Sequence, residues 1–157
     1  MNRVQFLSLA LLLLNINNAY SNIDCPEGTT KSYSEEKYRG MDARQVFCMD
    51  GKKRIQGKSY NYVSIKNKNH TSIKKAQEIT WKNNEVHGYS KSWYKSKQLE
   101  RHIEFKHGKM HGTFKMWHEN GQIQVEGQYV NGEQVGVWKK YFSNGEIENT
   151  HEYPESL

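Results

Sequence analysis

GKMHGTFKMWHENGQIQVEGQYVN (108–131) is followed at once by GEQVGVWKKYFSNGEIENTHEYPE (132–155), and the second stretch restates the first. Gly108, Gly112, Phe114, Trp117, Gly121, Ile123 and Tyr129 recur 24 residues later as Gly132, Gly136, Trp138, Tyr141, Gly145, Ile147 and Tyr153. Self-similarity at a fixed period of this size marks a stacked-repeat architecture, in which neighbouring units bury what no unit buries alone. Within each copy the Asn-Gly pairs at 120–121, 131–132 and 144–145 separate runs of aromatic and β-branched residues, the strongest local signal for a hairpin. Ile123, Val125, Gly127 and Tyr129 alternate with Gln122, Gln124, Glu126 and Gln128, which predicts one apolar and one wet face. Phe114 and Trp117 are three apart, as are Trp138 and Tyr141. The two rings of each pair then lie on opposite faces, unless a bulge intervenes and returns them to one.

The same unit extends upstream. Gly88, Ser90, Trp93, Leu99, Ile103 and Phe105 take the places of Gly112, Phe114, Trp117, Ile123, Gly127 and Tyr129, with Ser96-Lys97 where Asn-Gly stood. That substitution predicts a looser turn of another type. Gly57, Ser59 and Tyr62 precede Gly88, Ser90 and Trp93 by 31 residues, so seven extra residues fall between Tyr62 and Ile79 and predict a long, basic hairpin tip. Gln45 to Met49 with Asp50-Gly51 reads as a partial, capping unit. At the other end Glu146, Glu148, Glu152 and Pro154 guard the last strand against edge-to-edge pairing. The expected fold is all-β: a single-layer antiparallel meander of tandem hairpins, about 24 residues per repeat. Its expected units are 45–56, 57–83, 84–107, 108–131 and 132–155, with 22–44 as an N-terminal segment before the repeat sheet of 45–157.

Composition agrees with a thin sheet. The chain has 157 residues, of which 35% are hydrophobic and 12% aromatic, with a mean hydropathy of −0.98. Such a chain builds its apolar contacts from rings along strands rather than from a thick aliphatic core. Disorder is excluded by the aromatics and by the periodic apolar positions.

Residues 1–21 read as a cleavable signal peptide, with Arg3, an apolar run from Phe6 to Leu14 and the small-x-small site Ala19-Tyr20-Ser21. The run is too short to span a bilayer as a helix. In an exported chain the only two cysteines, Cys25 and Cys48, are expected to form a disulfide that ties the N-terminal segment to the array.

The pattern Gly-x-Phe/Trp-x-x-Trp/Tyr-x-x-Asn-Gly-x-Ile, continued by Gly-x-Tyr-x-Asn-Gly, resembles the bacterial variant of the MORN repeat, the YwqK-type "antitoxin" repeats, over roughly residues 45–155. The Cys-Pro-x-Gly-Thr opening at Cys25 is similar to that of secreted members. The resemblance implies a hairpin meander that binds or scaffolds without catalytic residues of its own, in the periplasm or outside the cell. The "antitoxin" label implies an alternative, an inhibitor or immunity protein that neutralises an exported toxin.

Charge is unevenly spread along the chain. Residues 52–98 hold twelve Lys or Arg against two Glu, whereas 99–157 hold six against nine acidic residues and 22–51 hold four against six. Lys52, Lys53, Arg54, Lys58, Lys66, Lys68, Lys74 and Lys75 are therefore candidates for holding an anionic partner, either an acidic lipid surface or an acidic envelope polymer. A solvated surface that keeps a flat sheet soluble is the competing reading. Nucleic acid is disfavoured because lysine predominates over arginine, the residue suited to bidentate phosphate recognition. Tyr62, Trp81, Trp93, Trp117, Trp138 and Tyr141 are candidates for an aromatic binding surface or for the sheet's own apolar column. A protein partner is expected, and no cofactor. There is no nucleophile elbow, phosphate loop or His-Glu-x-x-His, so no enzyme is expected. His87 and His111 are repeat equivalents, and equivalent residues two strands apart sit roughly 10 Å from each other, too far to share one metal ion.

Overall fold

A computed structural model describes residues 24–38, 41–52, 54–66 and 71–155. The signal-peptide region, Lys53, Lys68 and the Asn69-His70 part of the hairpin tip lie outside the described residues. The strands are β1 (Thr29–Tyr38), β2 (Met41–Asp50), β3 (Ile55–Lys66), β4 (Thr71–Lys82), β5 (Glu85–Trp93), β6 (Leu99–Lys106), β7 (Lys109–Trp117), β8 (Ile123–Val130), β9 (Glu133–Tyr141) and β10 (Ile147–Tyr153). They form one antiparallel sheet in strict chain order, β1 to β10. The 24-residue period is visible in the strands: β5, β7 and β9 begin at 85, 109 and 133, and β6, β8 and β10 at 99, 123 and 147. The seven extra residues lengthen β3 and β4 to 12 residues each. Upstream, the sheet reaches past Gln45, because β2 starts at Met41 and pairs along its whole length with β1.

Two kinds of turn alternate. At one rim, two-residue turns with both residues at positive φ join β4 to β5 (Asn83, Asn84), β6 to β7 (His107, Gly108) and β8 to β9 (Asn131, Gly132). This is the mirror-image turn whose twist suits adjacent strands. The turn N–H groups of Asn84, Gly108 and Gly132 donate to the carbonyls of Ile55, Val86 and Met110, so each turn is tied to the preceding unit. At the other rim the turns are four residues long. Gly121 N–H donates to the His118 carbonyl, Gly145 N–H to the Phe142 carbonyl, and Lys97 N–H to the Tyr94 carbonyl. The expected looser turn at Ser96-Lys97 is therefore corrected: it is the same turn as its repeats, with Lys97 at φ 77° where they have glycine at 89° and 90°. The asparagines act through their side chains, Asn120 Oδ1 accepting from Gln122 N–H and Asn144 Oδ1 from Glu146 N–H.

A bulge recurs in each of the four hairpins from β3–β4 to β9–β10, whereas β1–β2 pairs without one. The register skips Ala76, Glu100, Gln124 and Glu148, each one residue too many against the facing strand. Because the extra residue sits on the returning strand, it leaves Phe114 and Trp117 on opposite faces, as simple alternation requires. It also corrects the expected grouping of Ile123 with Val125, Gly127 and Tyr129. Ile123 pairs with Trp117 and Val125 with Met116, so the bulge sends Ile123 to the other face.

In the regular repeats one face carries the packing of rings. Ser59, Ile79, Ser90, Ile103, Phe114 and Gly127 stand side by side across six strands. Trp138, 8% exposed, closes this row. Its ring lies 5.2 Å from Phe114, 5.1 Å from Tyr129 and 6.2 Å from Tyr153. Gly127 is the floor on which the indole rests, since a Cβ there would collide with Trp138. Elsewhere two small clusters form the core: Val46 and Cys48, with Cys25, Tyr60 and Tyr62 against them, and Ala43, Val63 and Ala76. Cys25 and Cys48 are disulfide-bonded, with Cα atoms 5.5 Å apart.

Candidate partner-binding face

The opposite face is charged. Tyr60, Glu78, Lys91, His102, Lys115, Glu126, Lys139 and Thr150 are consecutive cross-strand partners from β3 to β10. At the ordinary spacing of strands this row runs roughly 34 Å across the sheet. Beside it, toward the four-residue turns, each hairpin contributes one apolar pair: Trp93 with Leu99, Trp117 with Ile123 and Tyr141 with Ile147. Regular pleating aligns these positions, and the bulge brings Leu99, Ile123 and Ile147 to the same side as the rings.

The row is locked into place by internal ion pairs at two points. In the first, Glu78, 8% exposed, takes hydrogen bonds from Lys75 Nζ at 2.8 Å and from the Tyr89 hydroxyl at 2.6 Å, with Lys58 Nζ 3.4 Å away. Burial alone would raise the Glu78 carboxyl, but the bonds from Lys75 and Tyr89 and the charges of Lys75 and Lys58 outweigh it and hold the group below its ordinary range. Lys75 Nζ also stands 4.4 Å from the centre of the Trp93 ring and 5.4 Å from that of Tyr60. In the second, Glu126 accepts from the Tyr141 hydroxyl at 2.8 Å and pairs with Lys115 Nζ at 3.3 Å. The Tyr141 bond, with help from Lys115, lowers its carboxyl as well.

Between these points two lysines flank a histidine. Lys91, His102 and Lys115 are directly opposite one another on β5, β6 and β7. Burial first, then the charges of Lys91 and Lys115, push the His102 imidazole below its ordinary value, against the pull of Glu104, whose carboxylate is 4.0 Å from Nε2. His102 is thereby held toward its neutral form.

The expected basic residues are dispersed. Lys52 is exposed on the β2–β3 turn. Arg54 is engaged by Asp50 at 2.8 Å, and hydrogen bonds led by the Arg54 backbone N–H hold the Asp50 carboxyl down at about 2. Lys58 and Lys75 are the Glu78 partners, and Lys74 Nζ donates to the Lys95 carbonyl at 2.8 Å. Lys66 lies at the end of β3. The expected aromatics divide between the faces. Trp138 is on the packed face, as is Trp81, whose Nε1 donates to Ser59 Oγ. Tyr62 pairs with Lys75 on the charged face, where Trp93, Trp117 and Tyr141 also stand.

Glu78, Lys91, His102, Lys115 and Glu126 were not singled out from the sequence, although a signal was there. Lys91, Lys115 and Lys139 recur at 24 residues, as do Glu78, His102 and Glu126. Of the other histidines, His87 Nδ1 accepts the His107 N–H and His111 Nδ1 the Asn131 N–H, both at 3.4 Å. Among the described residues no group of three His, Cys, Asp or Glu is arranged to hold a metal ion. No helix among them is long and apolar enough to cross a membrane.

Compared with known families, residues 86–107, 110–131 and 134–153 match the MORN repeat variant. The three matched segments coincide with the three regular hairpins β5–β6, β7–β8 and β9–β10. No curated protein matches the chain.

Proposed function

We propose that this protein is an exported, non-catalytic repeat module that holds a macromolecular partner, or scaffolds an assembly, on the charged face of its sheet. The observation that carries this reading is the row of ionisable residues Glu78, Lys91, His102, Lys115, Glu126 and Lys139, one on each of six successive strands, flanked by one ring-and-aliphatic pair per regular hairpin. Such a surface repeats one chemical pattern at two-strand intervals of roughly 10 Å, which suits an extended partner better than a small molecule. Export is supported by the leader-like residues 1–21 and by the Cys25–Cys48 disulfide, a bond that persists in oxidising compartments.

The partner surface is anionic and is met by the basic segment 52–98, to which Lys91 of the charged row belongs. Glu78 neutralises part of that segment, so attraction comes from cations that have no such partner among the described residues, such as the exposed Lys52 and Lys97. Cosedimentation of the full chain with phosphatidylglycerol-containing vesicles tests this. The bound fraction is expected to fall steeply as salt rises from about 0.05 to about 0.5 M, as the Debye length shrinks. No binding at low salt, or binding indifferent to salt, overturns the anionic reading.

A further inference from the structure

The outer rim of β10 is unlike every inner strand. Six of its seven residues are exposed, and it pairs only with β9, so the backbone N–H and C=O groups along its other side face solvent. Of the four large hydrophobic residues that are conspicuously exposed among the described residues, three belong to this last hairpin: Val137 at 50%, Phe142 at 49% and Ile147 at 57%. Their repeat equivalents are covered. Ile123 and Leu99 are half-buried where Ile147 is open, and Thr113 and Tyr89 where Val137 is open.

Phe142 is the most telling of the three. Its equivalents Tyr94 and His118 reach across to the next hairpin, the Tyr94 hydroxyl donating to the Trp117 carbonyl at 2.7 Å and His118 Nε2 to the Tyr141 carbonyl at 2.9 Å. After β10 there is no next hairpin among the described residues, and the polar latch is replaced by an apolar ring.

Charge selects what pairs with this edge. The rim carries Glu146, Glu148, Glu152 and Glu155, of which Glu148 is held by Lys140 at 3.0 Å. Two copies of β10 pairing antiparallel about Thr150 would set Glu148 against Glu152 twice, and like charges directly opposite are destabilising. Head-to-tail stacking onto β1 sets the acidic rim against a strand whose Lys31 and Lys37 are balanced by Glu35 and Glu36, which offers it no net positive charge. A strand with lysine or arginine opposite Glu152 and an apolar residue opposite Ile147 meets neither obstacle.

We propose that the free edge of β10 accepts an extended, basic segment of a partner protein as an eleventh strand. Main-chain hydrogen bonds supply the pairing and alternate side chains supply the selectivity. The carboxylates thus oppose self-pairing centred on Thr150 while admitting a basic strand. This edge acts independently of the charged row, and its test does not depend on vesicle binding.

The experiment is amide hydrogen exchange by NMR on the full chain, with two N-acetylated, C-amidated heptapeptides as probes, one alternating valine and lysine, the other valine and glutamate. The valine–lysine peptide is expected to slow exchange at alternate β10 amides at least tenfold and to leave β1 unchanged. The valine–glutamate peptide is expected to do nothing until Glu152→Lys and Glu155→Lys are introduced together, which should reverse the preference. Unprotected β10 amides, equal protection of β1 and β10, equal action of both peptides, or a β10-mediated dimer in sedimentation without peptide would each overturn the proposal.

Discussion

Single side chains show where this sheet departs from its own pattern. Lys97 occupies a left-handed position that glycine fills in the two later repeats. A side chain there costs about 1 kcal/mol relative to glycine. Lys97→Gly is therefore expected to raise stability by about that amount in urea denaturation, an unusual direction for a surface substitution. His102 gives a pH dependence of definite sign. Its folded-state value is depressed by burial and by Lys91 and Lys115, so the unfolded chain binds its proton more readily. The contribution is complete above about pH 6.5, the ordinary histidine value, and is lost as pH falls below it. Unfolding free energies measured between pH 7.5 and 5.5 should decline with acidification in the parent chain and decline less in His102→Asn. Further down, Glu78 and Glu126, both lowered, make their contributions above the ordinary carboxylate range and lose them as acid protonates them.

Hairpins are the elements in which sequence was most and least informative. The 24-residue period located β5 through β10 because Gly, aromatic and Ile positions repeat visibly. The bulges at Ala76, Glu100, Gln124 and Glu148 were not legible, since Glu and Gln at three of these positions read as ordinary solvent-facing strand residues and carry no bulge signal of their own. One unread bulge was enough to place Ile123 on the wrong face. β1, with TTKSYSEEKY, lacks apolar alternation and is held by pairing to β2 rather than by a buried face. The charged row stayed hidden because charge was counted by segment, whereas its members recur at 24 residues and meet across strands. At the amino end the sheet relies on covalent help: the disulfide anchors Cys25 beside Val46, Tyr60 and Tyr62. Replacing both cysteines by serine is expected to cost roughly 3 kcal/mol on the loop-entropy model, read as a lower midpoint in urea.

At the scale of the whole molecule, a single layer has two large faces, and the sequence divides their duties. Rings packed about Trp138 make one face cohesive, and ion-paired residues make the other a regular lattice of charge and apolar pairs. Because each unit touches only its neighbours, local changes on the charged face should leave the fold intact, so binding and stability are separable by mutation. The central claim is that the basic segment, rather than net charge, meets the partner surface. Its most direct test compares two variants of equal charge change in vesicle cosedimentation at low salt: Lys52→Gln, Lys91→Gln and Lys97→Gln together, against Lys106→Gln, Lys109→Gln and Lys140→Gln together. The first triple is expected to lose at least tenfold in apparent affinity for anionic vesicles and the second to stay within about twofold of the parent, with unchanged circular dichroism in both. Equal losses in the two triples, or a larger loss in the second, would contradict the account.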